Sequence, residues 1–336
     1  MQEGRFLSRL DFFIGKQRLW LHIALFILTF ITTTLAGVAW VGRNPLELEN
    51  FHYGIEYSIL LLIFISAHEF GHFIAARIHG VNTTLPYYLP FPGSTLGIMP
   101  NFGTFGAVIR LRSKLPSRKI LFDIGVAGPI AGFIVCVIVL AIGFMTLPGI
   151  EYLQSIHPGY PHISVQPGSS VVFGKTLLYT GLEKLFAPAG AYIPPMTEMY
   201  HYPLLCVGWF GLFVTALNLL PVGQLDGGHT IYGMFSPRIH RLLGIATVSV
   251  LIVLSLPEFI LGFFPPEYPA LSWLNSIAFN GGASWIAWVI MILVFIRLGH
   301  PKTLDESRLD TKRIVIGCFT LLIFILSFTP APLAIQ

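Results

Sequence analysis

Charge is what this sequence has least of. Only 11% of its 336 residues are Asp, Glu, Lys or Arg, while 54% are hydrophobic and 28 are Phe. Soluble globular domains carry roughly 25% charged residues. That shortage excludes an ordinary soluble fold and makes the chain a polytopic membrane protein, one bundle rather than two soluble domains. The net charge of +4 is too small to signal a nucleic-acid partner. Cysteine is scarce too: Cys136, Cys206 and Cys318 lie singly in apolar runs, no C-x-x-C pair occurs, and they read as small buried hydrophobes. Internal repeats and low-complexity tracts are missing. The N-terminus, with Glu3, Arg5, Arg9 and Asp11, lacks a small-residue cleavage site, so the first span is expected to stay attached. The missing transit-like leader leads to the expectation of a prokaryotic plasma membrane.

Long apolar runs are abundant. Residues 19–41, 57–78, 120–147, 204–220, 242–264, 285–298 and 314–328 are candidate spans, the last two short. Basic residues test the count. Arg5, Arg9, Lys16 and Arg18 precede the first span, and Arg77, Arg110, Arg112, Lys114, Arg118 and Lys119 fill the loop after the second. Arg238 and Arg241 follow the fourth, and Arg297, Lys302, Arg308, Lys312 and Arg313 follow the sixth. The intervening loops hold only Arg43, Lys175 and Lys184 beside several glutamates. By the positive-inside rule the N-terminus is cytoplasmic, and seven spans put the C-terminus outside.

The second run carries SAHEFGHFIAAR at residues 66–77, in which His68, Glu69 and His72 form an HExxH motif. Helical positions four apart share a face, so both imidazoles can grip one zinc ion, and Glu69 beside them can take a proton from an activated water. Three ionisable groups inside a spanning run are expensive and point to a functional site. A soluble core helix tolerates one histidine, but hardly all three unpaired. His72 lies about 7 Å inside the cytoplasmic end of this span.

A catalytic zinc needs three protein ligands and a water. The fourth span ends in TALNLLPVGQLDGGH at residues 215–229, where Pro221 breaks or kinks the helix and Gly223, Gly227 and Gly228 permit sharp turns. Asp226 sits in that bent stretch, at the same cytoplasmic side as His72, and a carboxylate from this second element would complete the ligand set. Residues 80–117 are no ordinary linker. LPYYLPFPG at 85–93 and NFGTFGAVIR at 101–110 are apolar and rich in Pro and Gly, and residues 103–112 have a short extended character. They suit a re-entrant segment near the metal that offers a strand edge to an extended peptide, or equally a loop lying on the interface. Gly128 and Gly132 have the small-xxx-small spacing of close helix packing. Asp123 is assigned no role.

The paired elements His68-Glu-Phe-Gly-His72 and Asn218-Leu-Leu-Pro221 with Leu225-Asp226-Gly-Gly resemble the HExxH and NxxPxxxLDG motifs of the site-2 protease family, zinc metalloproteases that cut peptide bonds within or beside the membrane. The resemblance covers roughly residues 57–232. It implies His68, His72 and Asp226 as ligands of one zinc ion, Glu69 as catalytic base, and Asn218 as a residue that positions substrate or stabilises the oxyanion. An interhelical hydrogen bond is the competing role for Asn218. The implied substrate is a transmembrane segment of another protein. Many members carry a PDZ domain of nearly a hundred residues, and no segment here has room for one.

His79 lies seven after His72, whereas the soluble HExxHxxGxxH pattern needs six, so it is not expected to ligate. His229, three after Asp226, could assist or replace that carboxylate. His22, His52, His157, His162, His201, His240 and His300 read as boundary or loop residues.

The expected architecture is an all-α polytopic membrane protein of about seven transmembrane helices with a re-entrant or short β-like segment near the metal site. Residues 1–56 would form the N-terminal tail and first helix, 57–232 a catalytic membrane core, and 233–336 the C-terminal helices. A metal transporter is the rival class. It should offer ligands at several depths, whereas here they cluster on one side. An inactive, chaperone-like relative is disfavoured because every motif residue is present.

Overall fold

The computed structural model describes residues 17–97, 101–113, 116–160, 171–264, 273–274, 282–296, 298–299 and 303–335. The basic residues Arg5, Arg9, Lys16, Lys114, Arg297 and Lys302, and the histidines His162 and His300, lie outside them. The described chain is mostly helical, with four short strands. Among the described residues four helices are long and apolar enough to cross a membrane: Leu19–Trp40, Leu48–Ile78, Arg118–Met145 and Pro237–Leu261. The expected fourth and sixth spans are shorter apolar helices, Pro203–Asn218 and Gly282–Ile296, and the seventh is Thr311–Ser327. Many large apolar side chains point outward, among them Ile23, Ile27, Ile63, Ile74, Ile138 and Val253. Such a surface suits lipid better than water.

The chain divides into two compact units, Met1–Val135 with Thr303–Arg308, and Cys136–Lys302 with Leu309–Gln336. In the first, α1 (Leu19–Trp40) and α2 (Ile55–Ile78) are joined through a 3₁₀ turn at Leu48–Gly54. Glycine sets their approach. A Cβ on Gly37 would meet the Gly54 carbonyl oxygen and Tyr57 Cβ at 2.8 Å. Buried threonines of α1 satisfy their hydroxyls on the preceding turn, Thr33 on Thr29 O at 2.7 Å and Thr34 on Phe30 O at 2.7 Å. Thr33 Oγ1 also meets Ser58 Oγ of α2 at 2.6 Å. Gly37→Leu is therefore expected to destabilise the hairpin by about 1–3 kcal/mol through overpacking. Unfolding of the purified protein in detergent checks it, and an unchanged midpoint contradicts so close a crossing.

The loop after α2 folds back as an antiparallel pair, β1 (Tyr87–Pro90) with β2 (Thr104–Val108). Tyr87 faces Val108 and Tyr88 faces Ala107, then the register slips before Pro90 meets Thr104. Thr104 bridges the irregularity, donating to Leu89 O at 2.7 Å and accepting from the Gly106 amide at 3.0 Å. This hairpin packs along the middle of the helices. Ser66 and Tyr88 share a hydroxyl contact of 2.7 Å, Trp40 Nε1 donates to Asn101 O at 2.9 Å, and a Cβ on Gly103 would meet Thr32 O at 2.5 Å.

α3 (Arg118–Met145) begins in the first unit and ends in the second. The second unit continues with α4 (Ile150–Ile156), β3 (Val171–Phe173), α5 (Leu177–Phe186), α6 (Pro203–Asn218), α7 (Asp226–Met234), α8 (Pro237–Leu261), α9 (Trp285–Met291), α10 (Thr311–Ser327) and β4 (Leu333–Ile335). β3 and β4 pair antiparallel, and Trp209 Nε1 donates to Gly174 O at 2.8 Å. Gly208 lets α6 lie against Leu140 of α3.

Candidate metal centre

His68 and His72 stand one turn apart on α2, both buried, with their Nε2 atoms 3.2 Å apart and their rings at 77°. Two nitrogens of a tetrahedral zinc site, each about 2.0–2.1 Å from the metal, sit roughly 3.3 Å apart. The pair thus fits one edge of a zinc tetrahedron. A hydrogen bond fixes the second imidazole: His72 Nδ1 lies 2.7 Å from Ile124 O of α3. A carbonyl only accepts, so Nδ1 carries the proton and Nε2 keeps its lone pair for a metal. Pro129 sits inside α3, where its missing N–H leaves Gly125 O without its usual helical donor.

Gly128 is the neighbour whose role the sequence did not reveal. A Cβ there would collide with Nε2, Cδ2 and Cε1 of the His72 ring, while at Gly132 it would come within 3.3 Å of His68 Nδ1. The glycines expected to bring two helices together do so. Opposite one of them, however, stands a metal-ligand candidate. Gly71 completes the crossing, since its Cβ would meet Ala127 O at 2.6 Å. Glu69, next to His68 on α2, is 8% exposed. A carboxylate so buried on an apolar helix is held for chemistry or for a cation. The Ser66–Tyr88 contact places β1 beside α2 less than one turn before His68.

In the second unit the helix ends at Asn218, three residues before Pro221. The chain then turns tightly and restarts with Asp226 as the first residue of α7. Gly223 has φ +54°, and a Cβ on Gly227 or Gly228 would strike the carbonyls of Leu219 or of Val222 and Gly223. His240 Nε2 is 3.1 Å from Gly223 O and pins the turn. Asp226 is half-buried in the first turn of α7, and Thr230 Oγ1 donates to its carbonyl at 2.8 Å. His229 follows three residues later on the same helix.

The other histidines divide. His79 Nε2 pairs with Asp123 Oδ2 at 2.9 Å, which gives both an occupation away from the metal-ligand pair. His22 Nδ1 contacts Pro86 O at 3.0 Å and His52 Nδ1 contacts Glu49 O at 2.7 Å, so both serve the backbone. His157 and His201 are not simple loop residues: they converge with Glu198. Burial, reinforced by His201 and opposed by Glu198, holds His157 below the ordinary histidine value.

Residues 56–256 match the family model described as Peptidase family M50. The chain belongs to that family. The "Probable zinc metalloprotease EGY1, chloroplastic" of Arabidopsis thaliana is 32% identical over 343 residues, covering 94% of this chain and 54% of the relative. The "Probable zinc metalloprotease EGY2, chloroplastic" of Oryza sativa subsp. indica is 27% identical over 320 residues, covering 93% of this chain and 50% of the relative. The Arabidopsis EGY2 is 25% identical over 290 residues, with 86% and 44% covered. The M50 chain thus spans about half the length of the curated relatives it matches. No solved structure matches it. These relatives are named chloroplastic, which overturns the expectation of a prokaryotic plasma membrane. That expectation rested on the N-terminal residues, whose composition was a weak guide to the compartment.

Proposed function

We propose that this M50 chain is an intramembrane zinc metalloprotease that hydrolyses peptide bonds in or next to transmembrane segments of membrane-protein substrates. The observation that carries the reading is the buried His68–His72 pair, 3.2 Å between Nε2 atoms, with Glu69 beside it on an apolar helix. His68 and His72 would hold one zinc ion, with Asp226, from the start of α7, as the third ligand. Bound there, zinc would supply a Lewis acid and a water of lowered pKa. Glu69 takes the proton of that water and passes it to the leaving amine. Asn218, at the end of α6, orients the substrate carbonyl.

The substrate must unwind, because helical hydrogen bonds shield its carbonyls. The β1–β2 hairpin is suited to capture the unwound stretch, since each strand of a two-stranded sheet keeps one unpaired edge for an extended peptide. We read the hairpin as re-entrant, its backbone sheltered among α1 and α2. We read the shorter helices α6, α9 and α10 as completing seven spans, with the N-terminus cytoplasmic and residues 57–232 as the catalytic membrane core. The membrane, on the relatives' naming, is that of a chloroplast.

Full-length protein stripped of metal and reconstituted with a single-span substrate is expected to be inactive, and to regain cleavage with zinc. His72→Ala is expected to lose the zinc of this site and cleavage together. Cleavage that survives chelation, or zinc flux into sealed proteoliposomes without any cleavage, would overturn the protease reading.

A further inference from the structure

Between α3 and α6, within the second unit, three side chains unrelated to the HExxH pair meet. His157 caps the C-terminal end of α4, where its amide donates to Leu153 O at 2.7 Å. Glu198 and His201 bracket the 3₁₀ turn Met199–His201, and residues three apart eclipse in a 3₁₀ helix, so both side chains leave the same side. His157 Nε2 and His201 Nε2 are 2.9 Å apart, and Glu198 Oε2 lies 3.5 Å from the first and 3.4 Å from the second. A tetrahedral zinc with bonds near 2.0–2.1 Å has edges of roughly 3.3 Å. Both carboxylate separations lie close to that value, and the histidine pair is somewhat closer.

A plain hydrogen bond accounts for the histidine pair but not for the carboxylate. A carboxylate that accepts from a ring N–H comes to about 2.7–3.0 Å. Glu198 Oε2 instead stands back equally from two imidazoles, buried and without a hydrogen-bond partner among the described residues. His201 is 2% exposed and directs Nε2 into the cluster, while its Nδ1 is buried with no partner among the described residues. Burying an imidazole this way is costly unless something pulls on its other nitrogen. The turn is braced from outside, as Tyr152 OH donates to His201 O at 2.7 Å and Tyr160 OH meets Tyr192 OH at 2.8 Å.

We propose that His157, Glu198 and His201 form a second metal site for a zinc-class divalent ion, separate from the HExxH pair. Two imidazoles and one carboxylate suit zinc and its first-row neighbours rather than calcium or magnesium, which take oxygen ligands. The fourth position falls to water on the side of His157, the most exposed of the three. The ion ties the end of α4 to the turn that starts α6, and so fixes the segment between α3 and α6.

The test counts zinc in the full-length protein in detergent after chelation, reloading with zinc chloride and desalting. Wild type is expected to hold two zinc ions per chain. His68→Ala/His72→Ala should keep one, His157→Ala/Glu198→Gln should also keep one, and the quadruple variant none. The first double variant loaded with cobalt should show the visible bands of a tetrahedral ion, lost on adding His157→Gln. That single change at a partly exposed position is expected to leave the fold intact, checked by an unchanged unfolding midpoint, and to weaken zinc binding at least about tenfold. One zinc in wild type, or a second zinc unaffected by His157→Gln and by His157→Ala/Glu198→Gln, would overturn the proposal. Loss of the HExxH zinc alone would leave the second site countable, so the two readings fail separately.

Discussion

Glu69→Gln is expected to lower cleavage of a reconstituted transmembrane substrate by about 10²- to 10⁴-fold, the range that a positioned acid–base group contributes. The substitution keeps the shape of the side chain and removes its capacity to accept a proton. His68 and His72 are untouched, and His72 keeps its hydrogen bond to Ile124 O. Zinc content should therefore equal that of wild type while turnover collapses. Substrate affinity should change little if Glu69 serves as the proposed base, which acts on water and not on the peptide. Activity within about threefold of wild type would remove Glu69 from the chemistry.

Gly128→Ala is expected to abolish zinc binding at the HExxH pair and, with it, cleavage. The added methyl has no room: it would occupy the position of the His72 ring around Nε2. Either α3 retreats from α2 or the imidazole rotates away, and both break the contact of His72 Nδ1 with Ile124 O at 2.7 Å. Overpacking of this kind costs about 1–3 kcal/mol in stability. A protein that stays folded in detergent while losing the metal would separate the local effect from global unfolding. Gly132→Ala is the control. Its Cβ would come only to 3.1 Å from Phe64 and 3.3 Å from His68, so a small adjustment accommodates it and zinc binding should survive. Full zinc occupancy in Gly128→Ala would show that α3 does not brace His72.

Much of the first half of the site was legible in the residues. The spacing of His68 and His72 on a helix dictates a shared face, and their Nε2 atoms meet at 3.2 Å. Pro221 and the neighbouring glycines foretold that the helix would stop and turn before Asp226, and it stops at Asn218. The extended character of residues 103–112 was legible, since β2 lies within them, though its pairing with β1 and its packing were not. What decides that packing is contact with residues far away in sequence, such as Trp40 with Asn101 and Ser66 with Tyr88. Gly128 was read from its spacing with Gly132 as a packing position. Only the crossing of α2 and α3 shows that the space it leaves belongs to His72. The His157, Glu198 and His201 cluster was missed because 44 residues separate its histidines and the intervening segment has no periodicity. The Glu-x-x-His spacing at 198–201 was the one local signal, and it is too short to stand alone.

The most direct test of the central claim, that Asp226 joins His68 and His72 on one zinc ion, is X-ray absorption at the zinc edge of Asp226→Cys. The protein should carry His157→Ala and Glu198→Gln, so that only the HExxH site contributes. A thiolate in place of the carboxylate is expected to add one sulfur at about 2.3 Å to a shell of histidine nitrogens at about 2.0–2.1 Å. A zinc shell that keeps two imidazoles but contains no sulfur, identical to that of the parent, would contradict it.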